Sequence, residues 1–168
     1  MRYTPAALAL AMLVAVTSSV GQGKVPAPLD PRAAALVQHG RAALTAGNVD
    51  GAIDAYESAL VVQPGHVAIY LNLAEATRKQ GMQGKALRYY RQALTLEPDN
   101  QYAIAGEGMA LVEKGAVEKA RRNLSRLNQL CGETCPPARD LAAAIAAGPV
   151  PKVVTADQIK AEPVVVEN

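Results

Sequence analysis

The feature that most constrains the fold of this chain is a step of 34 residues that recurs between Ala33 and Thr134. Five columns of residues keep this step in register over three copies. They are Gly47, Gly81 and Gly115; Ala52, Ala86 and Ala120; Tyr56, Tyr90 and Leu124; Ala59, Ala93 and Leu127; and Pro64, Pro98 and Gly132. A repeat of this length, with two helical patterns in each copy, predicts stacked helical hairpins that share one continuous core.

Start and stop signals for helices stand at matching places in the copies. Asp30-Pro31 is expected to open the first helix, because Asp is a favoured N-cap and Pro loses no hydrogen bond at the first helical position. Asp50 is expected to cap the second helix. The glycine column permits positive φ at the turn inside each hairpin, and the tyrosines at 56 and 90 are expected to fill the space between neighbouring repeats.

This pattern resembles the tetratricopeptide repeat (TPR) family. The resemblance implies an all-α fold, a right-handed α-solenoid of three TPR helix pairs plus a C-terminal capping helix. The repeats span 33–66, 67–100 and 101–134, within a TPR domain of residues 31–147. The capping helix is predicted at 136–147, where Ala138, Leu141, Ala142 and Ile145 follow a helical apolar period.

The two ends of the chain lie outside this repeat. Residues 1–21 have the pattern of a secretory signal peptide, with Arg2 before an apolar run and small residues after it. A short membrane anchor is the alternative, although the run is shorter than the ~20 residues that span a bilayer. We therefore expect an exported protein, periplasmic or secreted, without membrane insertion after signal cleavage. Residues 22–30 are predicted to be a linker, and 148–168 a disordered tail.

The composition narrows the classes of function. The formal net charge is only +2, so no electrostatic footprint for nucleic acid is present. No Ser-His-Asp order, paired carboxylate setting or Gly-rich phosphate loop stands out. We therefore expect a protein that is not an enzyme and needs no cofactor. The abundant Ala and simple signal peptide favour a bacterial source.

The family resemblance also implies where a partner would bind. TPR proteins bind extended peptides or helices in a concave groove lined by the first helix of each repeat. The partner-binding residues that the register implies are Arg41, Leu71, Asn72, Arg78, Lys79, Tyr102 and Met109. Asn72 occupies the place where family members often carry an Asn that grips the ligand backbone; the alternative is an ordinary helix Asn.

Some TPR domains hold the C-terminal carboxylate of chaperones in a clamp of Lys, Arg and Asn side chains. This chain departs from that pattern, because Val37, Tyr102 and Gly106 stand where polar or basic clamp residues would be needed. Only Asn72 matches the clamp. The sequence therefore argues against chaperone C-termini as the ligand.

Cys131 and Cys135 are the only cysteines in the chain. In an exported protein they are expected to form a structural disulfide that staples the capping helix to the third repeat. A thiol–disulfide oxidoreductase would need the spacing Cys-x-x-Cys, which this pair exceeds by one residue. A copper site would need a His ligand, and both histidines lie far along the repeats from Cys131. We expect His39 to be half-buried at an apolar column and His66 to be exposed in a turn.

These observations favour a non-catalytic adaptor or scaffold that binds a protein or peptide segment in its groove, in cell-envelope assembly or secretion. One alternative is a redox or copper-handling protein that uses Cys131 and Cys135. Another is a self-associating structural protein whose repeats pair end to end.

Overall fold

A computed structural model of the chain describes residues 28–149. The predicted signal peptide, most of the predicted linker and residues 150–168 of the predicted tail lie outside the described residues. Within 28–149 the chain forms seven helices and no strand. They are α1 (Pro31–Thr45), α2 (Val49–Val62), α3 (Val67–Lys79), α4 (Gln83–Leu96), α5 (Gln101–Glu113), α6 (Val117–Cys131) and α7 (Pro136–Ala147).

The helices pair as three hairpins, α1 with α2, α3 with α4, and α5 with α6, and α7 packs on α5 and α6. The first helices of neighbouring hairpins also touch each other, α1 with α3 and α3 with α5. In the described part of the chain, α2 and α4 meet only through side chains such as Lys85, which donates to Glu57 at 2.9 Å, and no two of the second helices α2, α4 and α6 approach closely along their backbones. The first helices therefore form the closely packed inner side of an α-solenoid, and the second helices form its outer side.

The turn inside each hairpin has the same hydrogen bonds. After α1, the Gly47 N–H donates to the Leu44 carbonyl at 3.2 Å and the Asn48 N–H donates to the Ala43 carbonyl at 2.9 Å. This is the Schellman arrangement, which requires a left-handed residue after the helix. Gly47 supplies it with φ 79°, as the equivalent glycines at 81 and 115 do with 83° and 78°.

The helix caps follow the sequence signals in one case and depart from them in another. Asp30 accepts from the Arg32 and Ala33 N–H groups at 2.8 and 3.4 Å, so it caps α1 as expected. The cap of α2 is Asn48, whose Oδ1 accepts from the Gly51 N–H at 2.9 Å. The expectation for Asp50 is wrong, because α2 begins at Val49 and leaves Asp50 inside the first turn.

Each of the two column tyrosines packs against a helix glycine. The Tyr56 ring lies over Gly40 of the same repeat, and the Tyr90 ring lies over Gly106 of the next repeat. A Cβ atom at Gly106 would lie 2.3 Å from Tyr90 Cε1, so the ring occupies the space of the missing side chain. Tyr90 therefore fills the space between repeats, as expected. Tyr56 also belongs to a core that the first repeat shares with Ile69 and Leu73 of the second.

The C-terminal helix α7 closes one side of the third hairpin. Leu141 and Ala138 are buried against α5 and α6, and Leu141 occupies the space beside Gly108. Ala142, which was expected on the apolar face, is exposed because no further described helix packs on that side. A cleft of about 590 Å³ remains open there between α6 and α7.

The segment before α1 is tied to the first hairpin. The Asp30 N–H donates to Gln63 Oε1 at 2.8 Å, and Gln63 Nε2 donates to the Pro28 carbonyl at 3.3 Å. The Leu29 side chain packs on the core of the first repeat. The last residues of the predicted linker are therefore attached to the folded domain.

Candidate functional site

We call the exposed face of α1, α3, α5 and α7 the inner wall. Three of the residues predicted to bind a partner are solvent-exposed on their first helices: Arg41, Lys79 and Tyr102. Tyr102 is 69% exposed, which is unusual for a large aromatic residue. Aromatic and arginine side chains contribute strongly to protein interfaces, so these residues are available to a partner.

The other four predicted residues are half-buried and pack or bond within the fold. Leu71 packs against the cores formed by α4 and α5. Asn72 Nδ2 donates to the Ala68 carbonyl of its own helix at 2.7 Å. The amide keeps its second N–H and its Oδ1 for a ligand backbone. Arg78 and Met109 lie beside a pocket described below.

Two of the positions that a carboxylate clamp would need cannot offer a side chain to a ligand. Val37 is buried, with 2% of its surface exposed. Gly106 lies beneath the Tyr90 ring, where even a methyl group would collide. The inner wall therefore lacks two clamp groups for reasons of packing as well as of sequence.

The central feature of the inner wall is an ionic cluster around Arg78. Its Nε and Nη2 atoms donate to the Glu75 carboxylate of the same helix at 2.9 to 3.1 Å. Its Nη1 donates to Glu113 Oε1 of α5. The Tyr90 hydroxyl donates to Glu75 Oε2 at 3.2 Å. The Arg78 guanidinium thus joins the first helices α3 and α5, and Glu75 joins them to the second helix α4.

This environment shifts the pKa values of two members of the cluster. Burial is the main cause that raises the pKa of the Tyr90 phenol, and the Glu75 carboxylate raises it further. Burial by itself would lower the pKa of Arg78, but the carboxylates of Glu75 and Glu113 outweigh that effect and raise it. Tyr90 therefore stays neutral and Arg78 stays charged throughout the physiological range.

A small pocket opens next to the cluster, between α5 and α7. It has a volume of about 170 Å³, well below the 300–1,000 Å³ typical of sites for drug-sized ligands. Its lining combines two charged groups with apolar and small residues: Arg78, Met109, Val112, Glu113, Ala144, Ala147 and Gly148. The pocket is therefore suited to one side chain rather than a whole small molecule.

Reasoning from the sequence missed Glu113 and the cluster to which it belongs. The spacing of Glu75 and Arg78, three residues apart on one helix, was a usable signal for a local ion pair. The pairing of Arg78 with Glu113 was harder to find, since the two residues are 35 positions apart and therefore one place out of the 34-residue register.

The two cysteines lie at the junction of α6 and α7. Their Sγ atoms are 2.03 Å apart, at disulfide-bond distance, and their Cα atoms are 5.9 Å apart. Gly132 makes this possible by ending α6 with φ 79°. The bond therefore joins the last residue of the third repeat's second helix to the residue that precedes α7.

The histidine predictions need correction. His39 is exposed rather than half-buried. His66 is half-buried rather than exposed, because its Nδ1 caps α3 by accepting from the Ala68 N–H at 3.2 Å. Within residues 28–149, no three His, Cys, Asp or Glu side chains are grouped so that they could hold a metal ion. None of the described helices is long and apolar enough to cross a membrane.

Stacked hairpins with an inner wall of first helices place the chain in the class of helical-repeat proteins. Within that class, residues 37–100 match the family model "Tetratricopeptide repeat". Residues 37–100 therefore carry tetratricopeptide repeats, and residues 28–149 have the all-α solenoid fold of TPR domains. No curated protein sequence matches it.

Solved structures of TPR domains share this fold. The first TPR of Spaghetti (RPAP3), bound to the HSP90 peptide SRMEEVD, is 22% identical, with 69% of this chain and 94% of that chain covered and a TM-score of 0.62. The TPR2B domain of yeast Sti1, in a complex with pHsp70, is 18% identical, with coverages of 70% and 95% and a TM-score of 0.64. The Sgt2 TPR domain from Aspergillus fumigatus is 21% identical, with coverages of 83% and 89% and a TM-score of 0.64.

Proposed function

We propose that this protein is a non-catalytic adaptor that binds a peptide segment of another protein along its inner wall. The observation that carries the proposal is the TPR solenoid, whose inner wall exposes Arg41, Lys79 and Tyr102. Two TPR domains of similar fold hold bound peptides of HSP90 and HSP70, which supports a peptide partner for this fold.

The partner we propose differs from the peptides in those structures. The HSP90 peptide SRMEEVD is acidic towards its C-terminus. Here Val37 is buried and Gly106 is covered by Tyr90, so two of the groups that a carboxylate clamp would need are missing. We therefore do not propose chaperone C-termini as ligands.

We test the proposal with a displayed library of random peptides and the chain of residues 22–168 with its disulfide intact. The inner-wall variant carries Arg41→Glu, Lys79→Ala and Tyr102→Ala. The control carries the same kinds of change on the exposed side of α4: Arg88→Glu, Gln92→Ala and Leu96→Ala.

The proposal expects peptides that bind the unchanged protein and the α4 control but lose at least about tenfold in affinity on the inner-wall variant, as expected when interface hot spots are removed. Equal binding to all three proteins would exclude the inner wall as the binding site. Circular dichroism of the variants checks that helix content is unchanged.

We also propose that the protein acts outside the cytoplasm, in cell-envelope assembly or secretion. The signal-like pattern of residues 1–21 and the cysteine pair at bonding distance support this. Residues 1–30 fused to an alkaline phosphatase that is active only after export should give activity in a bacterial host. Deletion of residues 6–16 should abolish it, and a fusion that is inactive from the start would contradict export.

A further inference from the structure

Arg78 is the one cation of the ionic cluster that is paired with both of its carboxylates. Arg78 is shared between two carboxylates, with three hydrogen bonds to Glu75 and one to Glu113. Lys79, whose side chain is 51% exposed, stands 4.0 Å from Glu75 and, within residues 28–149, forms no ion pair with Glu113. On the Glu113 side, the cluster therefore lacks a full positive counterpart.

One oxygen of Glu113 shows where the missing cation would go. Oε1 accepts from Arg78, whereas Oε2 is buried and receives no hydrogen bond from any residue between 28 and 149. A carboxylate oxygen that is removed from water without a donor is unfavourable. A donor that arrived with a bound partner would remove that penalty.

The pocket beside Glu113 has the shape and lining of a subsite for one long side chain. Met109, Val112 and Ala144 supply its apolar lining, and Glu113 supplies a carboxylate. Arg78 also lines the pocket, but its guanidinium already donates to Glu75 and Glu113. Lysine and arginine side chains combine an apolar stem with a cationic tip. Their stems would lie against the methionine, valine and alanine while the tip donates to the Glu113 carboxylate, whose buried Oε2 would turn towards the pocket.

We propose that this pocket between α5 and α7 receives a lysine or arginine side chain of the peptide that binds the inner wall. This inference rests on the proposed peptide-binding function and specifies the chemistry of its ligand. A carboxylate in the same place would face Glu113 and lose the donor interaction, so the pocket selects for basic and against acidic side chains.

The direct test is an NMR titration of the chain 22–168 with three small probes: the N-acetyl methylamides of lysine, norleucine and glutamate. The lysine probe should shift the backbone amides of residues 109–114 and 144–148. It should bind about tenfold more tightly than the norleucine probe, which has the same stem without the charge. The glutamate probe should bind more weakly than norleucine.

Two variants and one control separate the charge from the shape of the pocket. Glu113→Gln keeps the size and an acceptor for Arg78, and should reduce the tenfold preference for lysine to near one. Ala144→Leu fills the pocket without altering a charge and should weaken the lysine and norleucine probes alike. Glu118→Gln, at an 82% exposed side chain of α6, should change nothing. Equal affinity for lysine and norleucine, or a lysine preference that survives Glu113→Gln, would overturn the proposal.

Peptides selected by the display experiment distinguish failure of this inference from failure of the proposed function. Replacing their basic residues with norleucine should weaken binding to the unchanged protein but not to Glu113→Gln. If peptides bind the inner wall and tolerate that replacement, the basic subsite is wrong and the adaptor function stands. If no peptide depends on the inner wall while the lysine probe still binds at Glu113, the adaptor function is wrong.

Discussion

Replacing Gly106 by alanine should destabilise the protein, although alanine is the better helix former. A Cβ at this position would lie 2.3 Å from Cε1 and 2.4 Å from Cζ of Tyr90, and both atoms belong to a rigid ring. Tyr90 is only 3% exposed, so it has no free space into which to turn. The ring must shift, and the repeats that it joins must shift with it.

The magnitude follows from three opposing effects. Overpacking a core costs about 1–3 kcal/mol. Displacing Tyr90 also weakens its hydrogen bond to Glu75, worth about 1 kcal/mol. Alanine returns about 0.5–1 kcal/mol of helix propensity. The net prediction is a loss of about 1–3 kcal/mol in the free energy of unfolding.

Gly84→Ala provides the control. Gly84 lies near the start of α4, and a Cβ added there would have no neighbouring atom within 4 Å. The same chemical change should therefore raise the free energy of unfolding, by up to about 1 kcal/mol. Urea unfolding followed by circular dichroism gives both midpoints, with an unchanged m-value as the check on two-state behaviour. The reasoning fails if Gly106→Ala is as stable as the unchanged protein, or if Gly84→Ala loses as much.

Three further predictions concern the cluster and the C-terminal helix. Tyr90→Phe should lower the free energy of unfolding at pH 7 by about 1 kcal/mol, because it removes the hydrogen bond to Glu75. In the unchanged protein the raised pKa keeps the native phenol protonated above pH ~10, where the unfolded chain releases that proton, so the free energy of unfolding falls by up to about 1.4 kcal/mol per pH unit. The variant has no such phenol, so its decline should be less steep. Denaturant titrations from pH 8 to 11 check this, and an equally steep decline in the variant would contradict it. Reducing the Cys131–Cys135 bond should lower the free energy of unfolding by about 2 kcal/mol, the value that the chain-entropy model gives for so short a loop. Thermal unfolding with and without reductant measures this difference. No change would mean that the bond does not constrain the unfolded chain. Leu141→Ala should lower the free energy of unfolding in denaturant by about 2–5 kcal/mol, because the Leu141 side chain is fully buried between α7 and α5. The control Ala146→Ser changes an exposed residue of α7 and should be nearly neutral. Equal effects of the two substitutions would show that α7 does not depend on this contact.

The sequence predicted the repeat architecture well because each local signal, such as the glycine at the turn, occurs in three copies. The glycines at 47, 81 and 115 mark turns with positive φ, and all three adopt it. The cap of α2 was harder to place, since Asn48 and Asp50 are both favoured cap residues and lie two positions apart. Only the geometry of the turn after Gly47 decides between them.

Residues of the first repeat mislead because they have no preceding repeat to pack against. His39 lies in the column of Leu73, which is fully buried in the core of the first repeat. That position faces the hairpin before it. For His39 no such hairpin exists among the described residues, and the side chain is exposed. A burial that is predicted from the equivalent residues of other repeats is therefore unreliable in the first repeat.

The candidate site was only partly accessible from the sequence. Resemblance to the TPR family implied which helix faces line the groove, including Arg78 and Met109. It could not reveal that Glu113 is out of register with the repeat yet meets Arg78, or that Asn72 is bonded to its own helix. Such pairings depend on the angle between neighbouring first helices, which the spacing of residues does not specify.

The most direct test of the central claim is to locate a bound peptide on the protein. A peptide from the display selection, carrying a nitroxide spin label at one end, would be added to the ¹⁵N-labelled chain 22–168. We predict that the label broadens amide signals on α1, α3 and α5 and spares the outer surfaces of α2 and α4. Broadening confined to α2, α4 and α6, or to the cleft between α6 and α7, would contradict binding along the inner wall.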